Sequence, residues 1–210
     1  MKSVRKVRGW GLLCLVNLLV VAILGVLLRF KIAWELPFVN YKYLLNAHSH
    51  FAFSGWVTTV LFTAFVYVLG HDGRPVRKVY TYQFWLNQVS GYGMLVSFTL
   101  QGYGAVAIFF SSLSILFSYW FAWEFGKDLR TTALSIVVKT CMRAALFFLV
   151  LSSAGPFLLG YSMSHAVGDL NFYLNAIYLF LHFQYNGWFS FGVFALFFFL
   201  ADKSGMIMGE

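Results

Sequence analysis

The sequence predicts an all-α integral membrane protein that crosses the bilayer six times. Of its 210 residues, 60% are hydrophobic and only 10% are charged, which is more apolar surface than a soluble domain of this length needs. Six apolar segments are long enough to cross a bilayer, which takes about 20 residues. They lie near 10–29, 43–69, 82–101, 104–125, 140–161 and 172–200. We therefore expect one transmembrane domain over residues 1–210, in contact with the lipid bilayer.

The distribution of basic residues predicts the orientation. Of the 15 Lys and Arg residues, only Arg29, Lys31 and Lys42 fall in outer segments if the N-terminus is cytoplasmic. An excess of basic residues marks the cytoplasmic side, so both termini are expected inside, in a bacterial cytoplasmic (inner) membrane. The net charge of +8 comes from residues that flank apolar runs, and no nucleic-acid partner is expected.

Local features support the individual segments. The first apolar run is longer than the core of a signal peptide, which indicates a retained span. The turn at 71–75 separates the second segment from the third, which contains Asn87 and Gln88 among small residues and suits the inside of a bundle. The connection at 101–104 is so short that the third and fourth spans should form a tight antiparallel hairpin. Pro156, after a glycine, predicts a kink in the fifth span.

A repeated motif occurs in the second and sixth segments. Residues 50–58 read H-F-A-F-S-G-W-V-T, and residues 182–190 read H-F-Q-Y-N-G-W-F-S. A polar residue recurs every fourth position in each copy, and on an α-helix such positions share one face. These positions are His50, Ser54 and Thr58 in the first copy, and His182, Asn186 and Ser190 in the second.

The two histidines are candidate axial ligands of a haem. At about 1.5 Å per residue, His50 lies roughly 12 Å and His182 roughly 16 Å from the outer helix ends, so their depths are similar. Two imidazoles at one level can bind haem iron from both sides. The polar residue and the glycine that follow each histidine suit the edge of a macrocycle; they are Ser54 and Gly55, and Asn186 and Gly187. His48 points about 200° away from His50, so it would serve a second haem or a copper ion.

Other readings of the same residues stay open. No acidic residue lies in the middle of a span, which disfavours both a proton pump and a cation transporter. The histidines could instead form hydrogen bonds between helices. The protein would then be a cofactor-free transporter, or an assembly or structural subunit. Copper handling by His48 lacks support from a Cys-x-x-Cys or Met-x-x-Met motif.

The stretch N-A-H-S-H-F-A-F-S-G-W at 46–56 resembles the catalytic-subunit superfamily of haem-copper oxidases and nitric oxide reductases. In that family, each histidine of the pair binds one of two haems on opposite helix faces. The family fold has twelve spans, with ligand-bearing helices recurring every four, and the two motifs here are also four spans apart. The stretch is also similar to histidine-bearing spans of small membrane haem proteins that respond to nitric oxide.

The resemblance implies half of the oxidase subunit I fold and a b-type haem, with a role in electron transfer or in binding nitric oxide or oxygen. The family's copper site needs a His followed by Glu and Tyr on one helix and a His-His pair on the next. Neither occurs in this sequence, so enzymatic activity is left open. Because only six spans are expected, a homo-oligomer or a second membrane subunit is a candidate partner.

Overall fold

The computed structural model describes residues 2–71, 75–165 and 168–206, and within them every regular element is helical. Six helices follow one another in the described residues. They are α1 (Lys2–Ala33), α2 (Tyr41–His71), α3 (Lys78–Gln101), α4 (Ala105–Arg130), α5 (Ile136–Ser164) and α6 (Leu170–Lys203).

Five of these helices are long and apolar enough to cross a membrane. The exception is α3, which has 24 residues but is more polar, because the buried amides of Gln83, Asn87 and Gln88 lie along it. A multi-pass membrane protein is therefore supported. The sixth crossing, which the sequence places at 82–101, stays a prediction.

The chain forms two compact units, Met1–Phe121 and Ala122–Glu210. In the first unit, α2 packs against both α1 and α3. In the second unit, α5 packs against α6. The first motif copy lies in the first unit and the second copy in the second unit, so each histidine has surroundings of its own. The expectation of one domain over residues 1–210 stays a prediction.

The predicted short connection between the third and fourth segments is confirmed. Helix α3 ends at Gln101, α4 begins at Ala105, and Gly102 between them has a φ of 62°, a conformation that glycine adopts readily. Below the turn, an apolar cluster joins the two helices to α2. It contains Ala47, Met94, Phe98 and Ala107, with Leu95 and Phe110 packed against it.

The predicted distortion of the fifth segment is confirmed as an interruption of α5. The helix breaks at Ser153, between Ile136–Ser152 and Ala154–Ser164. Pro156 lies three residues later and has no backbone N–H to donate to the preceding turn. Two serine hydroxyls bond carbonyls at the break: Ser152 Oγ donates to Leu149 O over 2.7 Å, and Ser153 Oγ to Val150 O over 2.6 Å.

Candidate functional site

A π-helical segment follows each motif histidine directly. In α2 it covers Phe51–Thr58, and in α6 it covers Phe183–Phe189. The sequence predicts α-helix here; the structure instead has π-helix, which bonds i to i+5 and turns less per residue. The two copies agree in backbone conformation as well as in sequence.

A hydroxyl side chain supports each π segment from its C-terminal end. Thr59 Oγ1 donates to the carbonyl of Ser54 over 3.2 Å, and Ser190 Oγ donates to the carbonyl of Tyr185 over 2.7 Å. In both cases the acceptor lies five residues before the donor. The wider turn of a π-helix is thus held by a side chain in both helices.

His50 is half-buried and held by two aromatic residues. Its ring stacks on Phe98 of α3, with ring centroids 4.2 Å apart and planes at 14°. Its Nε2 lies 2.8 Å from the hydroxyl of Tyr103, in the turn after α3. The ring nitrogen that would bind a metal therefore has a hydrogen-bond partner within the chain.

His48 lies against a different helix. Its ring faces Gly25 of α1, where an added Cβ would lie 3.4 Å from the Cε1 of His48. Its Nδ1 is buried and has no hydrogen-bond partner among the described residues. Since His50 faces α3, the two imidazoles point to different helices, as their spacing on α2 predicts.

His182 is exposed on α6. Nδ2 of Asn186, one turn later, lies 3.3 Å from its Nδ1, and Phe183 contacts the ring edge at 5.3 Å between centroids. The contact between His182 and Asn186 agrees with their predicted common face. No partner at its Nε2 is found in the part of the chain that the structure describes.

The two motif glycines, Gly55 and Gly187, pack closely against other residues of the protein. A Cβ on Gly55 would lie 2.5 Å from the ring of Phe51, and a Cβ on Gly91 of α3 would lie 3.0 Å from the Cα of Gly55. A Cβ on Gly187 would lie 2.3 Å from the Cβ of Phe148 on α5. Both glycines thus permit close helix packing, and the space predicted for a macrocycle edge is filled by side chains.

A polar cluster surrounds the π segment of α2. Asn17 Nδ2 donates to the carbonyl of Gly55 over 2.6 Å and to Gln88 Oε1 over 3.0 Å, and the hydroxyl of Tyr92 donates to Asn17 Oδ1 over 2.9 Å. Asn87 Nδ2 donates to the carbonyl of Ser54 over 3.2 Å and to Thr59 Oγ1 over 2.8 Å. The members are the side chains of Asn17, Thr59, Asn87, Gln88 and Tyr92 around the carbonyls of Ser54 and Gly55.

Asn17, Thr59 and Tyr92 of this cluster were not predicted from the sequence, although Asn17 has a signal there. It is the single amide in the apolar run of α1, and it is fully buried. A polar side chain in the middle of a membrane span was the available signal, because such residues are costly to keep there without a partner.

The histidines stand apart from other potential metal ligands. No group of three or more His, Cys, Asp or Glu side chains converges within the described residues. A cavity of about 470 Å³ between α1 and α2 is lined by Cys14, Trp56 and other residues, none of them histidine, so it is not the predicted haem site.

No family model, no curated protein and no solved structure matches the chain.

Proposed function

We propose that the protein is a membrane protein that binds a b-type haem through His50 and His182, for electron transfer or for binding nitric oxide or oxygen. It would lie in a bacterial cytoplasmic membrane with both termini inside and would resemble half of the oxidase subunit I fold. A homo-oligomer or a second membrane subunit is the proposed partner. His48 is the proposed ligand of a second haem or a copper ion.

The observation that carries this proposal is the shared backbone of the two motif copies. Each histidine is followed at once by a π-helical segment inside a long apolar helix. Such segments are rare and frequently occur at functional sites. Helix packing alone could distort one helix. It explains less easily why the same π-helical distortion follows a histidine in two different helices.

The neighbouring side chains can orient both imidazoles. Asn186 contacts Nδ1 of His182, where its amide Nδ2 lies 3.3 Å away as a donor, so this side chain can hold the orientation of the ring. Phe98 holds the plane of His50 by stacking, and Nε2 would exchange the hydroxyl of Tyr103 for iron. A bound haem would supply an iron that accepts and releases one electron.

Absorption spectra of the detergent-purified protein test this proposal. We expect the reduced protein to show the bands of a low-spin haem, and His50→Ala and His182→Ala each to lose them. The control is His165→Ala, because His165 is exposed and its ring packs on Tyr161, outside both motifs. Carbon monoxide would then report whether the iron has an open position. A colourless protein after expression with added haem would contradict the proposal.

A second candidate, a cofactor-free transporter or assembly subunit, is favoured by one observation. The contacts of His50 with Tyr103 and Phe98 already satisfy the ring as an interhelical partner would. This candidate expects a colourless protein that His50→Ala destabilises. Haem bands in the wild-type protein that are lost in His50→Ala and in His182→Ala would exclude this candidate.

A further inference from the structure

A groove between α1 and α2, within the first unit, has apolar walls. Its volume of about 470 Å³ lies in the range of small-molecule sites, roughly 300–1,000 Å³. Two of its lining side chains, the thiol of Cys14 and the hydroxyl of Thr63, lie 3.7 Å apart and pair with each other. Because these two polar groups satisfy one another, the groove suits an apolar occupant.

A glycine keeps the groove open on the side of α1. Gly11 lines it, and a Cβ added there would meet nothing within 4 Å. Leu15, one turn later in the same wall, is 63% exposed. Both helices are long and apolar enough to cross a membrane, so the groove opens sideways toward the acyl chains of the bilayer.

The length of the groove fits one leaflet. It extends over residues 7–15 of α1 and 56–67 of α2, which is roughly 12–16 Å at about 1.5 Å per residue. The hydrocarbon core of a bilayer is about 30 Å thick, so the groove reaches through about half of it. A transmembrane helix of a partner protein would need a seam along the whole span, whereas the acyl chain of a phospholipid needs only this length.

The end of the groove at Val7 and Tyr67 lies next to basic segments of the chain. The first eight residues contain four Lys or Arg, and the first acidic residue is Glu35. Three more basic residues follow α2 at positions 74, 77 and 78, beside a single acidic residue, Asp72. Basic clusters of this size beside a membrane span attract anionic lipid headgroups. The apolar groove and the adjoining basic segments are therefore complementary to an anionic phospholipid.

We propose that the groove binds one acyl chain of an anionic phospholipid, whose headgroup lies at the basic end of α1. The bound chain would pack between Gly11 on one helix and Trp56 on the other. Because Trp56 belongs to the π segment that begins directly after His50, the lipid would also contact the distorted part of α2.

Native mass spectrometry of the delipidated protein in detergent tests the preference for the headgroup. The two probes are phosphatidylglycerol and phosphatidylcholine with identical acyl chains. We expect one molecule of phosphatidylglycerol to bind at least about fivefold more tightly than phosphatidylcholine, because only the former has a net negative charge. Equal affinities for the two lipids would overturn the proposal.

A filled groove tests the position of the acyl chain. Gly11→Leu should lower the affinity for the tightly bound phosphatidylglycerol about tenfold, because the new side chain occupies the space of a few methylene groups. The matched control is Gly9→Leu on the same helix. A Cβ at Gly9 also meets nothing within 4 Å, but Gly9 does not line the groove, so this variant should bind the lipid as the wild type does.

Unchanged affinity in Gly11→Leu would contradict the proposal. If that variant does not fold, Ala64→Leu fills the groove from the side of α2, and the same loss of affinity is expected. Lipid binding is measured without haem, so the result is independent of the spectroscopic test.

Discussion

At the scale of single residues, Asn17 connects the first three helices. From α1 it reaches the backbone of α2 at Gly55 and the side chains of Gln88 and Tyr92 on α3. Each of these groups is buried or partly buried, where water cannot replace a lost partner. One amide therefore satisfies a carbonyl of the π segment and orders two side chains of the neighbouring helix.

Replacement of Asn17 should weaken this unit strongly. Asn17→Leu leaves the carbonyl of Gly55 and Gln88 Oε1 without their donor, so we expect the free energy of unfolding to fall by about 2 kcal/mol. Denaturation in mixed detergent micelles, followed by circular dichroism, measures this change. Asn175→Leu is the control, because Asn175 is exposed on α6. Equal free energies of unfolding for the two variants would show that the polar cluster does not stabilise the protein.

At the scale of helices, the motif glycines determine how closely neighbours pack. Gly187 lies in the π segment of α6, directly against Phe148 of α5. Trp188, next in the motif, is fully buried. Gly187 therefore permits the close contact between α5 and α6, which accounts for this glycine without reference to a cofactor.

Addition of a single methyl group at this contact should be costly. Gly187→Ala places a Cβ 2.3 Å from the Cβ of Phe148, which cannot move without its backbone, so we expect a loss of about 1–3 kcal/mol in the free energy of unfolding. Gly160→Ala on α5 should have no such cost, because nothing lies within 4 Å of its added Cβ. The same denaturation assay compares the two. A neutral Gly187→Ala would mean that α5 and α6 pack less closely than the structure shows.

At the scale of the whole molecule, the number of membrane crossings depends on α3. Five helices have the length and hydropathy of spans, and α3 has the length but carries buried amides. Two of those amides, Gln88 and Asn87, are hydrogen-bonded to α1 and α2, whereas Gln83 has no partner among the described residues. Internal pairing makes a polar helix compatible with a bilayer, so six crossings and cytoplasmic termini remain our prediction.

Labelling of single cysteines in intact cells checks this topology. In a background without Cys14 and Cys141, Phe38→Cys and Leu100→Cys should react with a membrane-impermeant maleimide from outside. Both native side chains are strongly exposed, at 86% and 74%. Ala133→Cys, in the loop between α4 and α5, is the control and should react only after the cells are permeabilised. Labelling of Leu100→Cys from inside alone would show that α3 does not cross.

The sequence by itself determined the class of protein, the six helical segments, the short turn after Gln101 and the break before Pro156. These features follow from local composition, from hydropathy and from the missing N–H of proline. The π-helical segments after His50 and His182 were decided only by the tertiary structure. A change of helical register depends on partners that are distant in the chain, such as Asn17 and Asn87, to bond the carbonyls of Ser54 and Gly55. The partners of His50 on α3 and in the following turn were not predictable either, because stacking and hydrogen bonding between helices have no periodic signal in the sequence.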